Sequence, residues 1–336
     1  MTFLRYLIVG AWLSLIVSCA PTEASQSAEQ STEPADQVDQ RLPQTPLNNG
    51  EFRDVLNEFM GLNERLERIA SRIKIANADL CGATENDIGI STHTLNDYPN
   101  ELQDAARHYL NVNENLSVRT VRPKSSAHKA GLRTGDQITE INKTSLSSGP
   151  LFADKATAGP IAKAVFHSVL DRLTPTDVAV VDYERGSSTR RAELKVTPKC
   201  KLPVTLFYNE DINGHLIEGE VWMTSGLMRT VRDDVRVAYI MAHEIAHALH
   251  GHSDTHTPDI ELEADRTGLI LLARAGYNPA SLATFWAEQI NLFDGGDTSS
   301  ASHPDLITRK NNYTATLSLI NQAGQDDETL KRLFFQ

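Results

Sequence analysis

The pentapeptide His243-Glu244-Ile245-Ala246-His247 constrains this chain more than any other stretch. It lies in an apolar-periodic run from Asp233 to His250 that Gly251 ends, so the pattern predicts a helix. Residues four apart share a helix face. The two imidazoles therefore stand one turn apart, as two ligands of a tetrahedral ion require. Glu244 projects beside them, placed to serve as a base rather than a ligand. The chain has 11 histidines among 336 residues, and at that frequency the pattern arises by chance in only about 0.02–0.03 of such sequences. The alternative is a pair of partly buried helix histidines, which makes the acid between them a coincidence.

A tetrahedral zinc site needs a third protein ligand. The pattern HExxHxxGxxH is excluded, because His250 stands at the glycine position and Ser253 at the third histidine. Pro258 to Ala275 instead reads as a second helix, carrying Glu261-Leu262-Glu263-Ala264-Asp265. Glu261 and Asp265 lie one turn apart on one face, whereas Glu263 points roughly 200° away from Glu261. Glu261 is therefore the third-ligand candidate, for one Zn²⁺ per chain. Asp265 is placed to accept a hydrogen bond from the far nitrogen of a ligand histidine; the alternative is a solvated or capping carboxylate. His250, His252 and His256 read as surface residues rather than ligands.

Composition sets outer limits. With 40% hydrophobic and 23% charged residues the chain is neither disordered throughout nor a multi-span membrane protein. Its net charge of −12 argues against a nucleic-acid partner. The apolar run Leu7 to Val17 is too short to span a bilayer and reads as a secretory signal. It ends in Ile16-Val17-Ser18-Cys19, which resembles the lipobox of bacterial lipoproteins. The resemblance implies a signal over residues 1–19, a lipid on Cys19 and anchoring to a membrane of the cell envelope. In a Gram-negative cell it implies the periplasmic face of the outer membrane. An ordinary cleaved signal is the alternative. Residues 20–50 are rich in Ser, Glu, Gln, Thr and Pro and read as a disordered tether. In an oxidising compartment Cys81 and Cys200 are candidates for a disulfide, with two buried free thiols as the alternative.

Phe52, Val55, Leu56, Phe59, Leu62, Leu66, Ile69 and Ile73 recur at helical steps and predict an amphipathic helix over 51–75. The run is short for a coiled coil, so residues 51–95 are expected to pack on a catalytic domain. Residues 96–200 switch to strand signals, with a helix expected at 157–173 and strands at 178–183 and around Leu194. Within them, Ala130-Gly131-Leu132-Arg133-Thr134-Gly135-Asp136-Gln137-Ile138-Thr139-Glu140-Ile141-Asn142 resembles a PDZ domain of the kind found with bacterial proteases. That implies binding of chain termini by strand addition beside a helix, with Tyr109-Leu110-Asn111-Val112 as the expected carboxylate loop. A spacer or regulatory lid is the alternative. A Cys81–Cys200 bond would clamp the base of this inserted module.

Residues 202–310 are similar to the HExxH/ExxxD metallopeptidases of the CAAX prenyl protease and HtpX type. The matching elements are Gly219 to Leu227, the helix into His243, the helix from Glu261 to Gly268, and His303-Pro304 followed by Arg309. The family's membrane-spanning helices are missing, which points to its secreted lipoprotein branch. The resemblance implies an α+β chain: a mostly helical zincin-type peptidase domain over 201–336 with a small edge-strand sheet, plus the inserted β-rich PDZ-like domain over 96–200. It implies Zn²⁺ on His243, His247 and Glu261, Glu244 as general base, and a cleft lined by Val221, Trp222, Met223 and Thr224 pairing with an extended polypeptide. His303 either reaches the site, as oxyanion donor or resting fourth ligand, or merely starts the helix to Gln322. The expected function is a lipid-anchored zinc endopeptidase acting on envelope proteins. A chaperone-like client-binding lipoprotein and a zinc protein without turnover are the competing readings.

Overall fold

The computed structural model describes residues 49–252, 257–285 and 304–335. The expected signal, Cys19, the tether to residue 48, His256 and His303 lie outside the described residues.

Helix α1 (Asn49–Ala76) is 28 residues long. Its stripe is split between partners. Leu66, Ile69 and Ile73 are buried in the largest core, which also holds Met223, Met241, Ile245, Leu269 and Leu272. Each such fully buried side chain contributes about 2 kcal/mol. Leu56 instead packs with Leu95, Tyr98, Ala106 and Val112. Arg65 fixes the helix by donating to Asp234 Oδ1 and to the carbonyls of Met228 and Val231 at 2.6–2.8 Å. Arg72 caps the carbonyls of Ala275 and Gly276.

After α1 the chain forms β1 (Thr84–Asp87), which pairs antiparallel with β8 (Thr197–Cys200). Cys81 and Cys200 are joined by a disulfide at the foot of this ribbon. Between its strands lies a sheet built from β2 (Ile90–His93), β3 (Ser117–Val121), β4 (Gln137–Ile141), β5 (Thr144–Ser145), β6 (Val178–Arg185) and β7 (Ser188–Lys195). The order is β2-β3-β4-β6-β7, with β5 on β4, so β2 is an outer strand. Helices α2 (Asn100–Leu110), α3 (Ser126–Lys129) and α4 (Lys155–Leu170) accompany it, and Phe166, Ile138, Val118 and Leu194 meet in its core. Helix α4 starts earlier than expected because Asp154 caps it, accepting from Ala156 N at 3.0 Å.

Two expectations are corrected here. Tyr109-Leu110 close α2, and Asn111 is its left-handed cap at φ 53°. That segment is a helix end, not a carboxylate loop. The segment that leads into the outer strand is Asp87-Ile88-Gly89-Ile90. Gly89 there has φ +91°, and a Cβ would fall 2.1 Å from Ser125 Cβ, so only glycine fits.

The second correction concerns the small sheet made of β9 (Val204–Phe207), β10 (Gly214–Ile217) and β11 (Glu220–Thr224). Its order is β10-β11-β9, so β11 is the central strand and not an edge. Val221 and Met223 are fully buried in the core, Thr224 caps α5 (Ser225–Thr230), and Trp222 packs on Phe207. The edge strand beside the histidine helix is β10.

The remaining helices are α6 (Asp234–His250), α7 (Pro258–Arg274), α8 (Leu306–Ala323) and α9 (Asp327–Phe334). None of the described helices is long and apolar enough to cross a membrane.

Candidate metal centre

Helix α6 is defined at both ends. Asp233 accepts from Val235 N at 2.8 Å, and Gly251 closes the helix at φ 68°. Helix α7 begins with Thr257 as cap and Pro258 in its first turn. Glu261 lies in that turn, where the helix dipole favours an anion and offsets part of the cost of burying it. The two helices cross at Gly268: a Cβ there would sit 3.0 Å from His243 N, so glycine permits the close approach.

That crossing brings His243, His247 and Glu261 together. His243 Nε2 lies 3.1 Å from His247 Nε2 and 3.4 Å from Glu261 Oε2, and His247 Nε2 lies 3.6 Å from Glu261 Oε1. Tetrahedral ligands about 2.05 Å from a zinc ion stand about 3.3 Å from one another. The two nitrogens and the carboxylate thus fit one Zn²⁺ in spacing and in donor type. Glu261 is 1% exposed, which a carboxylate tolerates only against cationic partners. Glu244 sits at the rim beside β10, its Cγ 3.6 Å from where a Cβ on Gly214 would be.

The far nitrogen of each histidine faces a different support. His243 Nδ1 is 3.1 Å from Asp265 Oδ1. Asp265 is wholly buried, accepts from Tyr239 Oη at 2.8 Å and is gripped by Arg309 at 2.5 and 2.7 Å. Burial would raise its carboxyl, but the charge and hydrogen bonds of Arg309 hold it far below the carboxylate range. For His243 burial acts downward, yet the carboxylates of Asp265 and Glu261 prevail and raise it to about 10.

His247 Nδ1 is 3.1 Å from His252 Nδ1, and His252 Nε2 is 3.2 Å from Glu263 Oε2. If His247 Nε2 serves a cation, Nδ1–H donates to His252, whose Nε2–H donates to Glu263. His250 and His252 stay outside the ligand group, but both are mostly covered rather than on the surface. His252 is tucked against the ligand pair, and His250 donates to or accepts from Thr267 while stacking on Phe334. Glu263 is turned away from the ligand atoms, half exposed, on the outer side of His252. Tyr239 and the role of Arg309 were missed. Tyr239 stands four residues before His243, on the same helix face, and that spacing was available to read.

A sequence model of peptidase family M48 matches residues 208–260, and one of the PDZ domain matches residues 83–159. Matches to peptidase family M48 and to the PDZ domain thus occur in one chain. The M48 segment takes in β10, β11 and the whole of α6, and it stops one residue before Glu261. The PDZ match takes in β1 to β5. Among solved structures, the chain is similar to a serine endoprotease from Yersinia pestis (16% identity over 34% of this chain and 29% of that one, TM-score 0.22). It is similar to the HtrA-type protease AlgW with a decapeptide (18% identity, 34% and 30%, TM-score 0.25). It is also similar to the HtrA3 PDZ domain bound to the phage-derived ligand FGRWV (18% identity, 35% and 88%, TM-score 0.23). The chain spans about a third of the length of the first two. No curated protein matches it.

Proposed function

We propose that this M48 peptidase is a lipid-anchored zinc endopeptidase with a zincin-type core, hydrolysing peptide bonds of cell-envelope proteins, misfolded ones among them. The observation that carries the reading is the convergence of His243 Nε2, His247 Nε2 and the Glu261 carboxylate within 3.1–3.6 Å of one another, with Glu244 on the same helix. Zinc held there would polarise a scissile carbonyl and make water a nucleophile near neutral pH. Glu244 takes the proton of the attacking water and hands it to the leaving amine. Asp265, fixed by Arg309 and Tyr239, keeps His243 in the tautomer that offers Nε2. The outer strand β10 accepts an extended substrate by strand addition. Gly214 lets that strand lie close to α6, since a Cβ would meet Ile240 Cγ2 at 3.2 Å. The envelope location and the lipid on Cys19 belong to the same proposal and are supported by the lipobox-like sequence.

The PDZ domain is read as holding chain ends along β2. The competing reading, client binding with little hydrolysis, is favoured by the open cavity between β2, α4 and α1. One experiment separates them: zinc stoichiometry together with cleavage of a denatured protein by wild type and Glu244→Gln, with and without a chelator. Cleavage by wild type alone, lost on chelation, is the expected result. Equal cleavage by Glu244→Gln would overturn the assignment of the base.

A further inference from the structure

Two cavities lie end to end along α1, away from the metal centre. The first, of about 250 Å³, lies between the outer strand β2, helix α4 and α1, and Gly89, Lys74 and Lys199 line one end of it. Charge at that end is unbalanced. Lys74 Nζ and Lys199 Nζ each lie 3.4 Å from Glu85, while Lys199 and Arg122 hold Asp87 at 3.5 and 2.5 Å. Three cations thus meet two acids in a partly buried network. Toward the opposite end Lys163 pairs with Asp97 and Arg119 with Glu67, and Glu64 adds a further acid to the lining. A ligand's terminal carboxylate therefore belongs at the Gly89 end, where it supplies the third negative charge.

With the carboxylate placed there, the ligand's upstream residues run along β2 toward His93. Four residues of strand cover about 13 Å. Beyond them opens the second cavity, of about 300 Å³, whose walls are mainly apolar: Val55, Leu56 and Phe59 of α1, Tyr98, Leu102 and Leu206. Glu67, Arg119 and Val204 line both cavities, so the two adjoin at the Arg119–Glu67 ion pair.

We propose that the two cavities form one composite groove for the C-terminal tail of a polypeptide, its free carboxylate beside Lys74, Lys199 and Arg122, and a large apolar side chain about five to seven residues upstream lodged between α1, Tyr98 and β9. The inference rests on the reading that the PDZ domain takes chain ends. It extends that reading by giving recognition to α1 and β9, which lie outside the segment that matches the PDZ domain. The selected partner is thus a protein tail with an apolar residue set back from its end, and tails without one bind weakly.

The test is fluorescence anisotropy with the full chain and four labelled peptides: a tetrapeptide ending in a free carboxylate, its amide, a Ser/Gly decapeptide with the same end and a Trp six residues upstream, and that decapeptide with Asp in place of Trp. The Trp decapeptide is expected to bind at least tenfold tighter than the tetrapeptide and the Asp decapeptide. Val55→Glu should abolish this gain while leaving tetrapeptide binding intact, which also reports that the variant is folded. Equal binding of the Trp and Asp decapeptides overturns the composite groove. Equal binding of the tetrapeptide and its amide, or no binding of either, overturns the chain-end reading beneath it.

Discussion

His243 and His247 rest on carboxylates of opposite character. Asp265 is sealed in the core and clamped by Arg309, whereas Glu263 is half exposed and reaches His247 only through His252. Removing a support of the first kind should be the more damaging. Asp265→Asn is expected to weaken zinc binding about 10–100-fold, while His252→Ala weakens it by less than about tenfold; competition with a chromophoric chelator would measure both. Glu261→Ala should lose zinc altogether while Glu263→Ala retains it, and the reverse in metal analysis would refute the ligand choice. The spacing of His243, Glu244, His247, Glu261 and Asp265 was legible in the chain because helix geometry is local. The grip of Arg309 on Asp265 spans 44 residues of sequence, and only packing reveals such a pairing. His252 was misread for a related reason: an exposed-looking histidine after a helix stop folds back because its amide donates to the His247 carbonyl at 2.9 Å.

Among the elements, the crossing of α6 and α7 is the most sensitive. Gly268→Ala places a methyl group against the His243 backbone at about van der Waals overlap, so the helices must separate and Glu261 must retreat from the histidines. The expected result is weaker zinc binding with helical content unchanged by circular dichroism; unaltered zinc affinity would show that the crossing yields without disturbing the ligands. Helices α1, α6 and α7 were readable from periodicity and capping residues. Strand order was not, since β9 and β11 carry similar apolar patterns and only pairing shows that β11 is central and the plainer β10 takes an edge. Helix α2 was passed over among strand signals, although Leu102, Ala106 and Leu110 recur every four residues and Pro99 and Asn111 bound them.

For the molecule as a whole, α1 contributes to two of the hydrophobic clusters, and its Lys74 makes the groove beside it sensitive to pH. Burial first, and the charge of Lys199 second, pull Lys74 down to about 8 against the opposing pull of Glu85 and Asp87. A bound carboxylate favours the charged form. Tail binding should therefore be full below pH 8 and weaken above it, and anisotropy titrations at pH 7 and 9 would show whether it does. The Cys81–Cys200 bond closes 119 residues of chain. Its reduction should lower stability by about 2–5 kcal/mol, read as a fall in thermal midpoint with zinc stoichiometry unchanged. Because these two residues bring the entrance and exit of the intervening segment to a Cα separation of 5.5 Å, a splice of one or two amino acids would suffice to rejoin the polypeptide without it. Recombination could thus add, drop or exchange the intervening segment in one event, leaving in place the helix crossing that gathers His243, His247 and Glu261.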